Sequence, residues 1–222
     1  MTELSLAFIG TGNAFVPEGM CWNGFVVNER ILFEAPPSAL MALRRTGLDP
    51  DAIDTVLISH HHGDHFLGLP MLLLQWKYFG RRSRVAIAGP AGTEEHARTI
   101  TDLVYPGVFD SDLPVDWVTV RAGQTLGIAG KEIEVFGMMH DARLECLGFR
   151  LRLPAGTVAY TGDTALCRSV STMARGADVL VAECTSLAEP SEIHMNLGDI
   201  GRLRSKLGDR PPILLTHLTR SI

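Results

Sequence analysis

Residues 55–69 read TVLISHHHGDHFLGL, an apolar run that breaks into histidines and an aspartate before turning apolar again. The run TVLIS, preceded by Asp54 and rich in Val, Ile and Leu, predicts a buried strand. Four of the eight histidines in the chain follow it directly, within positions 60–65. They therefore sit on a loop at a strand's end, where a rigid sheet can aim them. His60 and His62 are two residues apart, so in an extended loop they point the same way. Asp64 and His65 lie in the turn into the following apolar helix and project in another direction. One loop can thus serve two neighbouring metal ions, with His60 and His62 on one and Asp64 and His65 on the other. His61 lies between the first pair and is expected to face away, as a supporting or surface residue.

The rest of the chain has to supply the frame. Short strand-like runs recur at 4–9, 24–28, 30–34, 54–59, 83–89, 115–120, 131–139, 146–153, 157–162, 178–184 and 212–217, often bounded by Gly, Pro or Asp. Helical patterns fall between them at 38–47, 66–80, 93–104, 165–176 and 196–208, with Thr93 read as the N-cap of the third. Groups of strands with helices in both halves predict an α/β chain with two packed sheets and helices on their outer faces. A length of 222 residues suits one domain spanning 1–222.

Composition narrows the function. A formal net charge of −5 argues against a protein that coats long RNA or DNA through its overall field. The start MTELSLAFIG lacks the basic region of a leader, and the longest apolar run, FLGLPMLLL, is about half a membrane span; both point to the cytoplasm. Cys21, Cys146, Cys167 and Cys184 form no C-x-x-C pair and read as apolar filler. The basic run RRSR at 81–84 reads as a solvated turn, with phosphate binding the minority alternative.

His60-x-His62-x-Asp64-His65 resembles the signature of the metallo-β-lactamase-fold hydrolases. The resemblance implies an αββα four-layer sandwich of two mixed β-sheets with a two-metal site at one edge. It also implies three more ligands: His140 after the run KEIEVFGMM, a bridging Asp163 in AYTGDT, and His217 at the end of PILLTH. The first ion would then take His60, His62, His140 and Asp163, and the second Asp64, His65, Asp163 and His217. Imidazole and carboxylate donors suit Zn²⁺ first, then Mn²⁺ or Fe²⁺.

Within that family the opening FIGTGNAFVPEGMCWNGFVV is similar to the start of ribonuclease Z and its relatives, which places Gly10, Gly12 and Asn23 near the metals. A tight hairpin explains the glycines equally well. AECT at 182–185 and HMN at 194–196 resemble paired loops of the same enzymes. By that likeness His194 protonates the leaving oxygen, Glu183 orients it, Asp64 belongs to the catalytic group, and Gly12, Asn23 and Asn196 contact substrate. The sequence departs from the pattern where Ala182 stands for a histidine and Met195-Asn196 for a Ser-Thr pair. Residues 141–162 leave room for two strands and a turn but not for the inserted arm that grips tRNA in ribonuclease Z. The expectation is a dinuclear phosphodiesterase acting on a small phosphodiester or short RNA, with no membrane partner and with a homodimer left open. A lactone or thioester hydrolase and a non-hydrolytic metal- or partner-binding protein are the alternatives.

Overall fold

The computed structural model describes residues 3–16, 19–110 and 112–219. Two six-stranded sheets face each other. The first runs in the order β1 (Leu6–Gly10), β2 (Gly24–Val27), β3 (Ile31–Phe33), β4 (Thr55–Leu57), β5 (Val85–Gly89) and β6 (Val115–Thr119). The second runs β12 (Ile213–Thr216), β11 (Val179–Glu183), β10 (Gly156–Tyr160), β9 (Leu147–Leu153), β8 (Lys131–Gly137) and β7 (Thr125–Ile128). Both are mixed: β3 to β6 are parallel neighbours, as are β10 to β12, while hairpins close the other edges.

Alternation along the strands builds the layers, because successive side chains point to opposite faces. Phe25, Val27, Ile31, Phe33 and Leu57 face inward and meet Ile133, Val135, Phe149, Leu151, Val158 and Tyr160 of the second sheet. Phe25 and Phe33 stack at 4.5 Å, and Tyr160 meets both edge-on. Each such buried side chain contributes roughly 1.5–3 kcal/mol. Their neighbours Val26, Leu32, Val56, Val85 and Ile87 face outward against α1 (Ala39–Arg45), α3 (Leu69–Tyr78) and α4 (Thr93–Val104). On the far side Ala159, Leu180 and Ala182 pack under α5 (Arg168–Ala174) and α6 (Leu197–Leu207). This is the four-layer αββα sandwich expected from the sequence.

Four local readings need correction. The hairpin strand β7 escaped the pattern, since Thr125 and Gly127 are exposed and only Ile128 is buried; its turn is set by Ala129 and Gly130, both at positive φ. A separate short helix, α2 (Gly63–Phe66), precedes α3 and carries Asp64 and His65. The N-cap of α4 is Gly92 at φ 92°, not Thr93, whose hydroxyl instead donates back to the Pro90 carbonyl at 2.7 Å. Nor is the basic run merely solvated. Arg81 donates to the carbonyls of Asp51 and Ile53 at 2.9 and 2.6 Å and lies over Trp76, while Arg84 pairs with Asp116. The four cysteines are free. Among the described residues, no helix is long and apolar enough to cross a membrane.

Candidate metal centre

Strand direction collects the site. β1, β3, β4, β8, β10, β11 and β12 all run the same way within their sheets, and the polar residues follow their carboxyl ends, where ligands gather in α/β sheets. Glu34 follows β3, the histidine loop follows β4, His140 comes after β8, Asp163 after β10, Glu183 ends β11 and His217 follows β12. The two sheets touch here: Leu147 N donates to Ser59 O at 3.0 Å. Gly162, at φ 59°, has room for no side chain, because a Cβ would lie 2.6 Å from Leu147 O.

The seven residues expected as ligands converge in two sets. In the first, His60 Nε2 and His140 Nε2 lie 3.0 and 3.1 Å from His62 Nδ1, and 3.9 and 3.8 Å from Asp163 Oδ2. In the second, Asp64 Oδ2 lies 3.3 Å from both His65 Nε2 and His217 Nε2, while Asp163 Oδ2 lies 3.3 and 3.2 Å from the same two nitrogens. One oxygen of Asp163 thus faces both sets. Donors about 2.0–2.1 Å from a tetrahedral ion sit about 3.3 Å from one another.

Proton accounting shows why these nitrogens converge. His140 Nδ1 donates to the Ile193 carbonyl at 3.0 Å, which leaves Nε2 of a neutral ring bare. His62 turns Nε2 to Asp141 Oδ2 at 3.4 Å, which leaves Nδ1 bare as well. The Thr185 hydroxyl donates to Glu183 Oε2 at 3.0 Å, so His217 Nδ1 donates to Thr185 Oγ1 at 2.9 Å and its Nε2 is bare. His65 faces Glu34 Oε1 through Nδ1 at 3.3 Å; its Nε2 and Asp163 Oδ1 are buried with no hydrogen-bond partner. Bare nitrogens aimed at each other and at carboxylates repel unless a cation lies between them. The residues fit two divalent ions.

The electrostatics point the same way. Burial penalises charge on Asp163, yet the surrounding imidazoles, His217 first, hold its carboxyl well below the usual range. Asp64 is likewise held low against burial by the imidazoles of His217 and His65 that face it. Burial opposes a charge on His65, but Asp163 and Glu34 outweigh it and raise its pKa well above the ordinary histidine value. The pocket stabilises positive charge at its centre.

Several supporting groups were not singled out in the sequence. Ser59 Oγ lies 2.9 Å from His60 Nδ1. Glu34 is fully buried at φ 64° and also accepts from Ser59 N at 3.1 Å. His217 is at φ 58°, so two site residues occupy the left-handed region that non-glycine residues rarely enter. An acidic residue closing the apolar run RILFE was the available signal for Glu34.

His194 Nδ1 meets Glu183 Oε1 at 2.8 Å, and its ring lies 4.7 Å from that of His140 and 5.3 Å from that of His217. Burial lowers its pKa, but the hydrogen bond and charge of Glu183 outweigh burial and hold it above the usual value. Glu183 is fully buried and also accepts from Thr164 N and Thr185 N.

The three residues expected to contact substrate have other posts. Asn23 is 1 % exposed; it donates to Tyr160 OH at 2.7 Å and accepts from Thr216 Oγ1 at 2.6 Å. Burial and then the charge of Glu34 push the Tyr160 pKa well above the usual value, and through Tyr160 Asn23 joins the buried groups behind His65. Asn196 caps α6 in a reciprocal pair with Asp199. Gly12 bridges Trp22 and Leu218, and its carbonyl accepts from Asn23 N at 2.8 Å. Gly10 is forced by close packing, since a Cβ there would meet Trp22 O at 2.0 Å. His61 turns away from both sets, as expected, with Nε2 2.8 Å from Thr93 Oγ1; burial and then His96 pull its pKa down to about 4.

Comparison with known proteins identifies the family. The chain is 28 % identical to ribonuclease BN of Citrobacter koseri over 69 % of its own length, and spans 65 % of that protein, just under two thirds. It is 23 % identical to ribonuclease Z of Methanosarcina mazei over 97 % of its length and 88 % of the relative's. The fold superimposes on the metallo-beta-lactamase fold protein YhfI from Bacillus subtilis with a TM-score of 0.81 at 21 % identity, covering 99 % of this chain and 87 % of that one. It matches the short form of human tRNase Z with a TM-score of 0.77 at 19 % identity, covering 96 % and 92 %. Residues 29–218 match the family model described as the beta-lactamase superfamily domain, and the chain belongs to that family.

Proposed function

We propose that the protein is a dinuclear metal-dependent hydrolase of phosphodiesters. The observation that carries this reading is the pair of donor sets sharing Asp163 Oδ2, with a carboxylate-held imidazole, His194, at their edge. His60, His62 and His140 would hold one ion, Asp64, His65 and His217 the other, and Asp163 both. With imidazole and carboxylate donors and no thiol, Zn²⁺ is the first choice, followed by Mn²⁺ or Fe²⁺. Two such ions, once bound, would supply a nucleophile at neutral pH and positive charge for the phosphoryl group.

The chain's own residues do the rest. Asp163 fixes the spacing between the two sets. A His194 nitrogen lies within 4.8 Å of the donor atoms of His140 and Asp163, where the departing oxygen of a bound diester would come. Glu183 holds that imidazole through Nδ1 and favours its protonated form, so the other nitrogen can deliver a proton to a poor leaving group. The relatives named ribonuclease Z and ribonuclease BN favour a phosphodiester in RNA. The net charge of −5, and an interval between His140 and Asp163 too short for an inserted arm, favour a short RNA or small diester over a whole tRNA. We place this activity in the cytoplasm, in a single domain.

The test is a side-by-side assay of metal-loaded protein on bis(p-nitrophenyl) phosphate, a thioester and a lactone. Turnover of the phosphodiester is expected. Turnover of only the thioester or lactone would move the reading to carboxyl-derived substrates, and turnover of none would make the protein a non-hydrolytic member of its family.

A further inference from the structure

We propose that His61 is a positioning residue: a brace that ties the metal-binding loop to α4 through Thr93 and so sets the aim of both donor pairs. Thr93 is buried, and its hydroxyl proton is already given to the Pro90 carbonyl at 2.7 Å. The 2.8 Å contact between Thr93 Oγ1 and His61 Nε2 can then be made only if the imidazole donates. This fixes the His61 tautomer, with the proton on Nε2. The packing leaves Thr93 little freedom, since a Cβ at Gly89 would already lie 2.5 Å from its hydroxyl.

The ring is also held on its faces and edges. It meets Phe66 at 5.2 Å and His96 at 4.7 Å, both edge-to-face. Phe66 lies in α2, the same short helix that presents Asp64 and His65, and His96 lies in α4. His61 is itself flanked by His60 and His62. One side chain thus links the loop segment bearing the first pair, the helix bearing the second pair, and a helix that takes no part in the site. A shift of the brace would move donors whose spacing depends on a few tenths of an ångström.

The inference rests on the two-ion reading but is read separately from it. Apo-protein is titrated with Zn²⁺ against a chromogenic chelator for wild type, Thr93→Val, Thr93→Ser, His61→Ala and the Thr93→Val/His61→Ala double variant. Wild type failing to take two ions would sink the two-ion reading. For the brace, Thr93→Val and His61→Ala should each weaken loading about tenfold, the low end for groups that orient ligands. The double variant should be no weaker than the singles, and Thr93→Ser should match wild type. Additive losses, or wild-type affinity in Thr93→Val, would overturn the brace. If His61→Ala does not fold, the contrast between Thr93→Val and Thr93→Ser decides. Imidazole ¹⁵N shifts give a readout that needs no metal: His61 should be protonated on Nε2 in wild type and Thr93→Ser, and the opposite tautomer would overturn the proposal.

Discussion

The two donor sets do similar work in different surroundings. Asp64 and His65 sit on α2, His217 directly follows β12, and their side chains are 11 %, 0 % and 3 % exposed. Behind them stand Glu34, Thr185, Tyr160, Asn23 and Thr216, all hydrogen-bonded and mostly buried. In the first set His60 and His140 are buried as deeply, 0 % and 2 % exposed, and the open member is His62. His62 is 38 % exposed, and its supporting carboxylate, Asp141, pairs with Arg143, which is 85 % exposed. A buried network holds geometry firmly but is costly when half-satisfied, whereas a surface carboxylate is screened and adaptable. The second set should therefore be the preorganised one, and the first the one that exchanges its ion.

Asp163→Asn should have the largest effect, because its oxygen belongs to both sets. Both ions and all turnover should disappear together by elemental analysis and assay. Retention of one full ion would show that the sets are independent, and would break the comparison at its root.

His194→Ala should come next. An alkyl alcohol leaves badly without a proton, so turnover of an alkyl-leaving diester should fall roughly 10²–10⁴-fold. A nitrophenyl ester should fall far less, with both ions kept. An equal fall for both would make His194 a phosphate contact, and loss of an ion would make it a ligand. Glu183→Gln should give a milder form of the same leaving-group pattern.

The comparison itself is sharpened by Glu34→Gln against Asp141→Asn. Removing the buried partner of His65 should weaken one ion's binding by about 10–100-fold. Removing Asp141, the partner of the more exposed His62, should weaken the other by less than about tenfold, as pairs near the surface contribute little. Equal losses in a competition titration would erase the distinction between a firm and an open half.

The smallest effect is expected at Asn23. Asn23→Ala should leave KM for a small diester unchanged while destabilising the fold by about 1–3 kcal/mol, the penalty for stranding buried hydroxyls of Tyr160 and Thr216. A selective rise in KM with unchanged unfolding would return Asn23 to the substrate.

What could be read in advance follows from how local each signal is. His60, His62, Asp64 and His65 are adjacent in the chain, so strand and turn periodicity alone placed them on one loop and turned His61 away. His140, Asp163 and His217 are far apart, and their pairing was reached through family resemblance. Glu34 closes an apolar run, but its meeting with His65 depends on β3 lying parallel beside β4, with Phe33 opposite Leu57. No sequence spacing encodes that register. Asn23 and Asn196 show the converse: near a site in sequence, each is hydrogen-bonded within the protein, one to Tyr160 and one at a helix end.

The central claim is that one carboxylate joins two ions of unequal setting. Anomalous diffraction from crystals grown with excess Zn²⁺ tests it most directly. Two peaks about 3.5–4 Å apart, with an Asp163 oxygen between them, His61 touching neither, and fuller occupancy beside His65 and His217 when metal is limiting, are the predicted result. A single peak in excess metal, or an ion bound through His194 in place of His140 or His217, would contradict the account.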